Sequence, residues 1–327
     1  MKKLNEILFL LFFNIFFLYL CGDVVAQPND LQLKAFRTAK TVQIVVGQTY
    51  GIAKDVNLPF EDVAHSLFEY AGLKVVSLDV NNYDLKIKIN ANGKAIGEIY
   101  RGYGNTGSAY LYTGASLNGS ISFEIPDIPT YKQYFEGYKK PVESTMPLDR
   151  EKNPSGAPFK DIFYQRGSFA SKITEMIAEI YGTDCILKVL KDGDSNIAAI
   201  AQNLLGNLKD PHTVEPLISM IKDESGPIRA RAIKALGRIG DPRSLEPLID
   251  VLRIEPNEYI RTDLVTALGD LGDPRAIEPL IATLKDQRVQ WMALQSLKRL
   301  TEENFGLDQK KWYEWWEQNK EIFLRGR

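Results

Sequence analysis

The chain has 327 residues, 44% of them hydrophobic and 25% charged, proportions of folded globular domains rather than of long disorder or a polytopic membrane protein. Its 40 Lys and Arg against 42 Asp and Glu give a formal charge of -2, which offers no general attraction to nucleic acid or anionic lipid. With only 2 His and 2 Cys, histidine catalysis or a His/Cys metal site has few residues to draw on, so neither a cofactor nor a metal is expected.

The first 26 residues read as a secretory leader. Lys2 and Lys3 precede an apolar run from Ile7 to Leu20 that is shorter than the about 20 residues of a bilayer span. Small residues follow, and Val24-Val25-Ala26 places the cut after Ala26. Cys21 offers a different reading, as the acylated cysteine of a lipoprotein, but Leu20 stands where a small residue is expected before it. Cleavage after Ala26 leaves Cys185 as the one cysteine, so no internal disulfide is expected, and it leaves no integral membrane span.

Residues 27–138 alternate apolar and polar positions as half-buried strands do, over Thr41–Tyr50 and Asp84–Ile89. Asn92-Gly93 and Asn118-Gly119 each sit between strand-like runs and predict two tight hairpins. Between the first strand and these hairpins, Phe60, Val63, Leu67 and Phe68 have helical spacing, with Pro59 at the start and Gly72 at the close. One helix on a sheet of antiparallel hairpins makes a small α+β domain. Gly102 to Gly107 fits G-x-G-x-x-G, but a dinucleotide site needs a helix after the glycines, and Ser108–Tyr112 has a strand pattern. Those glycines are read as a turn between strands, and Tyr100, Tyr103, Tyr110 and Tyr112 around it as sheet packing. Glu61 and His65, at i and i+4, share a helix face that a general base could use. With no second histidine near in sequence, it reads as a solvated face.

Residues 139–167 mix Pro141, Pro147, Pro154 and Pro158 with charged and small residues, as a linker does, although Phe159, Ile162, Phe163 and Tyr164 could dock it. A helix over 168–181 then opens a repeat array. Asp210-Pro211, Asp241-Pro242 and Asp273-Pro274 recur at steps of 31 and 32, and Glu-Pro-Leu-Ile follows each, at Glu215, Glu246 and Glu278. Each unit reads as two helices, with Gly237 and Gly240 marking the end of a second helix and Asp-Pro starting the next unit. Asp184–Asp210 aligns as a weaker copy upstream. A single helix pair cannot bury its apolar face, so stacked units form a solenoid. Trp312, Trp315, Trp316 and Phe323 make one stripe on a last helix from about Asp308, read as the cap over the open end.

Over roughly residues 182–301 this pattern resembles the HEAT repeat family, in its short variant named after phycobilisome lyases. The resemblance implies an α-solenoid of a kind that mostly serves as protein-binding scaffold, with a minority of chromophore lyases. Related arrays bind metal through His-Glu pairs; no such pair exists here, and the array's only histidine, His212, reads as a surface residue of an inter-helix turn. The resemblance also implies an arginine ladder between repeats, carried here by Arg229 and Arg261, with Ala198 and Gln290 at the matched outer positions.

Outward positions of the second helices form three rows: Ile200, Arg231, Asp263 and Met292; Asn203, Lys234, Thr266 and Gln295; Asn207, Arg238, Asp270 and Arg299. A nucleic-acid binder would show a basic row; here Arg is expected to face Asp between repeats in two rows. Arg231, Lys234, Arg238, Asp263, Thr266, Asp270, Gln295 and Arg299 are the candidate partner-binding residues.

The sequence thus predicts a multidomain α+β chain, with a signal peptide at 1–26, a β-rich α+β domain at 27–138, a linker at 139–167 and an all-α HEAT-type solenoid with its cap at 168–327. The expected function is an exported, non-enzymatic scaffold of the bacterial periplasm or secreted fraction that binds a protein partner. The alternatives are an enzyme or enzyme accessory with its site in the N-terminal domain, and a glycan-binding module.

Overall fold

The computed structural model describes residues 27–50, 58–101, 108–139, 159, 162–223 and 225–325. The expected leader, including Cys21 and the Ala26 cut, lies outside them, as do Tyr103 and residues 140–158. The described residues fall into two compact units. One draws on Met1–Glu61, Leu73–Phe163 and Gly167–Lys172, the other on Asp62–Gly72, Tyr164–Arg166 and Ile173–Arg327.

The first unit opens with a helix absent from the sequence reading, α1 (Asp30–Thr38). Its signal was present: Asn29 and Gln32 make a capping box, each side chain bonded to the other's backbone N–H at 2.8 and 2.9 Å. Strand β1 (Thr41–Tyr50) follows, then β2 (Lys74–Val76), β3 (Leu85–Arg101), β4 (Ser108–Ile125) and β5 (Ile128–Lys139); helix α2 (Phe60–Tyr70), which lies between β1 and β2 in the chain, falls from Asp62 onward in the second unit. The five strands lie in the order β2-β1-β3-β4-β5.

This sheet is mixed, which corrects the expected stack of antiparallel hairpins. β1 runs parallel to both β2 and β3, and only β3, β4 and β5 form an antiparallel meander. A helix between β1 and β2 supplies the long crossover that parallel neighbours need. The two predicted Asn-Gly hairpins are absent as well. Both dipeptides lie inside long continuous strands, where Asn92 pairs with Asn118 and Gly93 with Leu117. The chain reverses instead at Pro126-Asp127, between paired Ile125 and Ile128, with Asp127 at φ 62°. Gly119 is tolerated in mid-strand because the ring of its cross-strand partner Phe135 occupies the space a Cβ would fill. Residues 102–107 lie outside the described residues; the strands flanking them pair antiparallel up to Arg101 and Ser108.

Alternation puts Ile87, Ile89, Leu117, Ile121, Phe123 and Phe135 on the buried face of the sheet. Phe36 of α1 packs on Phe123 and Tyr131 at ring-centroid distances of 5.5 and 6.1 Å. Phe60, Phe135, Phe163 and Phe169 form a second aromatic cluster, with Phe60 4.8 Å from Phe169. Phe159, Ile162 and Phe163 are fully buried, and the Glu136 N–H donates to the Gly167 carbonyl at 3.0 Å, so the described end of the Pro-rich stretch packs as core.

The second unit is helical. α3 (Phe169–Tyr181) is followed by four helix pairs: α4 (Thr183–Asp192) with α5 (Ser195–Leu208), α6 (Val214–Met220) with α7 (Gly226–Ile239), α8 (Leu245–Ile254) with α9 (Glu258–Leu271), and α10 (Ile277–Thr283) with α11 (Gln290–Thr301). Each Asp-Pro pair opens a short 3-10 turn before the first helix of its unit, with the Asp carboxylate accepting the N–H two residues on. α12 (Gln309–Arg325) closes the array against α10. Trp312 and Trp316 on it are buried, Trp312 donating its indole N–H to the Gly306 carbonyl at 2.9 Å, as a cap requires. No helix among the described residues is long and apolar enough to cross a membrane.

Candidate protein-binding surface of the helical array

The second helices α5, α7, α9 and α11 stand side by side and carry the three rows, although Ile200, expected to face outward, is buried as an apolar side chain of the core. Their contact is closest at glycine. Gly206, Gly237 and Gly269 lie inside their helices, and a Cβ on Gly237 would come within 2.7 Å of the Ala267 Cα. Gly237 therefore sets inter-helix spacing rather than marking the helix end, which falls at Gly240 with φ 75°.

The charged side chains tie successive repeats together, most of them with partners offset from those expected. Arg231 donates to the Leu190 carbonyl (3.3 Å) and the Ser195 hydroxyl (3.4 Å), not to Asp263. Asp263 pairs with Lys234 at 3.0 Å, and its burial holds the carboxyl above the usual range despite that ammonium. Arg238 donates to the Asn203 side-chain carbonyl instead of meeting Asp270, which pairs, as expected within its row, with Arg299. The offset has a common cause. Helical side chains lean toward the N-terminus, so a long cation covers surface about one turn before its own Cα. Lys234 thus reaches Asp263 rather than its row-mate Thr266, whose hydroxyl donates to the Thr262 carbonyl at 2.8 Å. Gln295 is exposed beside them.

The other end of these helices holds the arginine ladder. Arg229 donates to the Asp223 carbonyl (3.0 Å) in its own repeat and pairs with Glu255 of the next at 3.3 Å. Arg261 repeats the arrangement, donating to the Leu252 carbonyl (2.6 Å) and pairing with Asp286 at 2.8 Å. These arginines are largely shielded from solvent and structural. On the opposite edge, Arg243 grips Asp241 at 2.7 Å and donates to the Pro211 carbonyl of the preceding repeat at 2.9 Å.

Beside the charged rows, large apolar side chains face solvent. Tyr259 in the first turn of α9 is 82% exposed, Trp291 in the first turn of α11 is 62% exposed, and Ile254 at the end of α8 is 81% exposed. The Arg261–Asp286 pair holds these first turns along one edge of the array. Trp291 thus stands apart from the buried tryptophans of the cap. At the far edge, a groove of about 530 Å³ is lined by Gly269, Asp270, Pro274, Arg299, Ile322 and Phe323, so the Asp270–Arg299 pair forms part of its wall. The sequence rows name the charged side chains beside these positions. They missed the aromatic half, because single exposed positions carry no periodic signal.

The nucleophiles and bases singled out from sequence do not converge. His65 lies 3.5 Å from Glu69, the acid one turn after it, and both are exposed. His212 is exposed in the turn after Asp210. Cys185 is buried, and desolvation pushes its thiol up to about 11, so it is protonated at neutral pH. Among the described residues no three His, Cys, Asp or Glu side chains come together as a metal site would require.

A family model described as HEAT repeats matches residues 183–268 and 246–305. No curated protein matches the sequence. Among solved structures, an engineered protein is 20% identical, aligned over 41% of this chain and 69% of its own, with a TM-score of 0.32. The complex of CpcE and CpcF of phycocyanin lyase from Nostoc sp. PCC7120 is also 20% identical, over 42% of this chain and 69% of its own, with a TM-score of 0.30. Four stacked helix pairs with glycine at the closest contacts, an arginine ladder and the family match together make the C-terminal region of this chain a HEAT-type repeat region, over residues 183–305.

Proposed function

We propose that the chain is an exported, non-enzymatic adaptor of the bacterial cell envelope that binds another protein through the second-helix surface of its HEAT repeats. The observation that carries this reading is the pairing of exposed Tyr259 and Trp291 with the Arg, Lys and Asp rows beside them. Protein interfaces concentrate binding energy in a few Tyr, Trp and Arg residues within a polar rim. Repeat arrays present such residues on a long open surface that suits macromolecules better than small substrates.

Affinity capture from a bacterial envelope fraction tests it, comparing the wild-type chain with a Tyr259→Ala/Trp291→Ala double variant. Both side chains are exposed, so the variant keeps the fold. The expected result is one defined protein retained by the wild type and reduced roughly tenfold or more by the double variant. Equal retention by both chains overturns the assignment of this surface. Terminal sequencing of the exported product is expected to begin at Gln27; an acylated Cys21 at the terminus would make the protein a lipoprotein instead.

A further inference from the structure

The solvent face of the sheet carries a second surface, independent of the repeats. Strand register lines up outward side chains across β3, β4 and β5. Asn90 stands opposite Ser120, which stands opposite Tyr134; Asn92, Asn118 and Glu136 form the next row. Lys94, Ser116 and Tyr138 form the row after that. Tyr134 is 61% exposed and Tyr138 55% exposed, an unusual display for large side chains on strands. They are four residues apart on one strand, a separation of about 13 Å. The asparagines, Ser120, Tyr134 and Glu136 border an open depression of about 610 Å³.

The lining of the depression is charge-balanced, with Glu136 against Lys172, and is rich in hydrogen-bonding groups. Among the described residues, no hydrogen bond to the protein engages the side chains of Asn90, Asn92 or Asn118, which are exposed and leave their amides aimed at water, while Ser120 between them is only 7% exposed. Around it the face carries Lys86, Lys88, Lys94 and Lys132 against Glu124 and Glu136; Lys88 pairs with Glu124 at 2.9 Å, and the Lys132 ammonium rests 5.2 Å from the Tyr134 ring centroid. A polyanion would need a surplus of cations in the depression itself. A protein partner would favour an apolar centre over a field of asparagines.

We propose that this face binds a neutral, extended glycan. Tyrosine rings offer apolar faces on which the C–H face of a pyranose stacks, and the asparagine and serine side chains supply paired donors and acceptors for its hydroxyl groups. Waters held by those amides are replaced by sugar hydroxyls of similar hydrogen-bonding capacity. The flat platform and the spacing of the two rings suit a ribbon-like β-1,4-linked chain rather than a single sugar.

Titration calorimetry of the full chain with cellotetraose and with chitotetraose tests the proposal. At least one of the two is expected to bind with a dissociation constant of about 1 mM or tighter. Tyr134→Ala is expected to weaken binding roughly tenfold and Asn118→Ala several-fold, while Tyr134→Phe retains it, with unchanged melting temperatures for all three. Failure of both tetrasaccharides to bind at millimolar concentration overturns the proposal. So does binding that survives Tyr134→Ala, or salt-sensitive binding of heparin in place of the neutral sugars. The Tyr259→Ala/Trp291→Ala variant is expected to bind sugar as the wild type does, which separates this site from the repeat surface.

Discussion

Asp286 is held by two arginines of the array. It accepts from the Arg288 Nε (2.9 Å) and Nη2 (2.8 Å), from the Arg288 backbone N–H (3.1 Å) and from the Arg261 Nε (2.9 Å). Hydrogen bonds from the Arg288 side chain, with the Arg288 N–H and the charges of Arg261 and Arg288, hold its carboxyl down at about 2. An unfolded Asp titrates near about 3.9, so the folded state binds this proton more weakly than the unfolded state. The stabilisation is therefore complete above about pH 4 and is lost as pH falls through the folded value. Asp210, lowered chiefly by the Thr183 hydroxyl, and Asp241, lowered chiefly by Arg243, act in the same direction. Asp286→Asn is expected to cost about 1–2 kcal/mol near neutral pH, with the gap to wild type narrowing as pH falls toward 2. Urea midpoints across that range measure it, and a gap independent of pH would assign the loss to packing instead.

At the scale of elements, the repeats are set by how closely their second helices approach. Gly237→Ala would gain about 1 kcal/mol of helix propensity in isolation. In the array the added methyl meets the Ala267 Cα at 2.7 Å and its carbonyl oxygen at 3.0 Å, backbone atoms that cannot rotate away. Overpacking of this kind costs about 1–3 kcal/mol, so the variant is expected to be net destabilised. Gly226→Ala, with nothing within 4 Å, is expected to change the thermal midpoint little. If both variants melt alike, close approach is not what Gly237 provides. The array was legible in sequence because every unit repeats the same local solution, so Asp-Pro, Glu-Pro-Leu-Ile and Leu-Gly reinforced one another. The sheet was less so. Asn-Gly is a local preference, and Asn92-Gly93 and Asn118-Gly119 lie opposite each other in a long ladder whose pairing overrides it. The parallel pairing of β1 with β3 leaves no trace in a strand's alternation. The pairing within the charged rows was legible only at Asp270 and Arg299, because the lean of helical side chains shifts Lys234 to Asp263 and Arg238 to Asn203.

At the scale of the molecule, a solenoid has ends, and each repeat is stable only in contact with a neighbour. The last pair, α10 and α11, has no following repeat among the described residues, and α12 takes that place through Trp312 and Trp316. Trp312 is fully buried, stacks edge-on against Phe305 at 4.9 Å and satisfies its indole N–H on Gly306. Gln309 adds a hydrogen bond from its amide to the Ile281 carbonyl at 2.9 Å, fixing the start of α12 on the end of α10. Truncating a buried tryptophan costs about 3–5 kcal/mol. In a linear array that loss falls first on the contact between the cap and α10, then spreads inward, because an uncapped repeat destabilises the one before it. Trp312→Ala is therefore expected to lower the urea midpoint of the helical signal and to broaden the transition, as the terminal repeats come apart before those near α4. Trp291→Ala, at an exposed position on the same array, is expected to shift stability by no more than about 0.5 kcal/mol. Circular dichroism at a helical wavelength reads both. A Trp312→Ala transition as sharp as the wild type, or a Trp291→Ala loss of equal size, would show that α12 does not cap the array and would move Trp291 from the binding surface into the core.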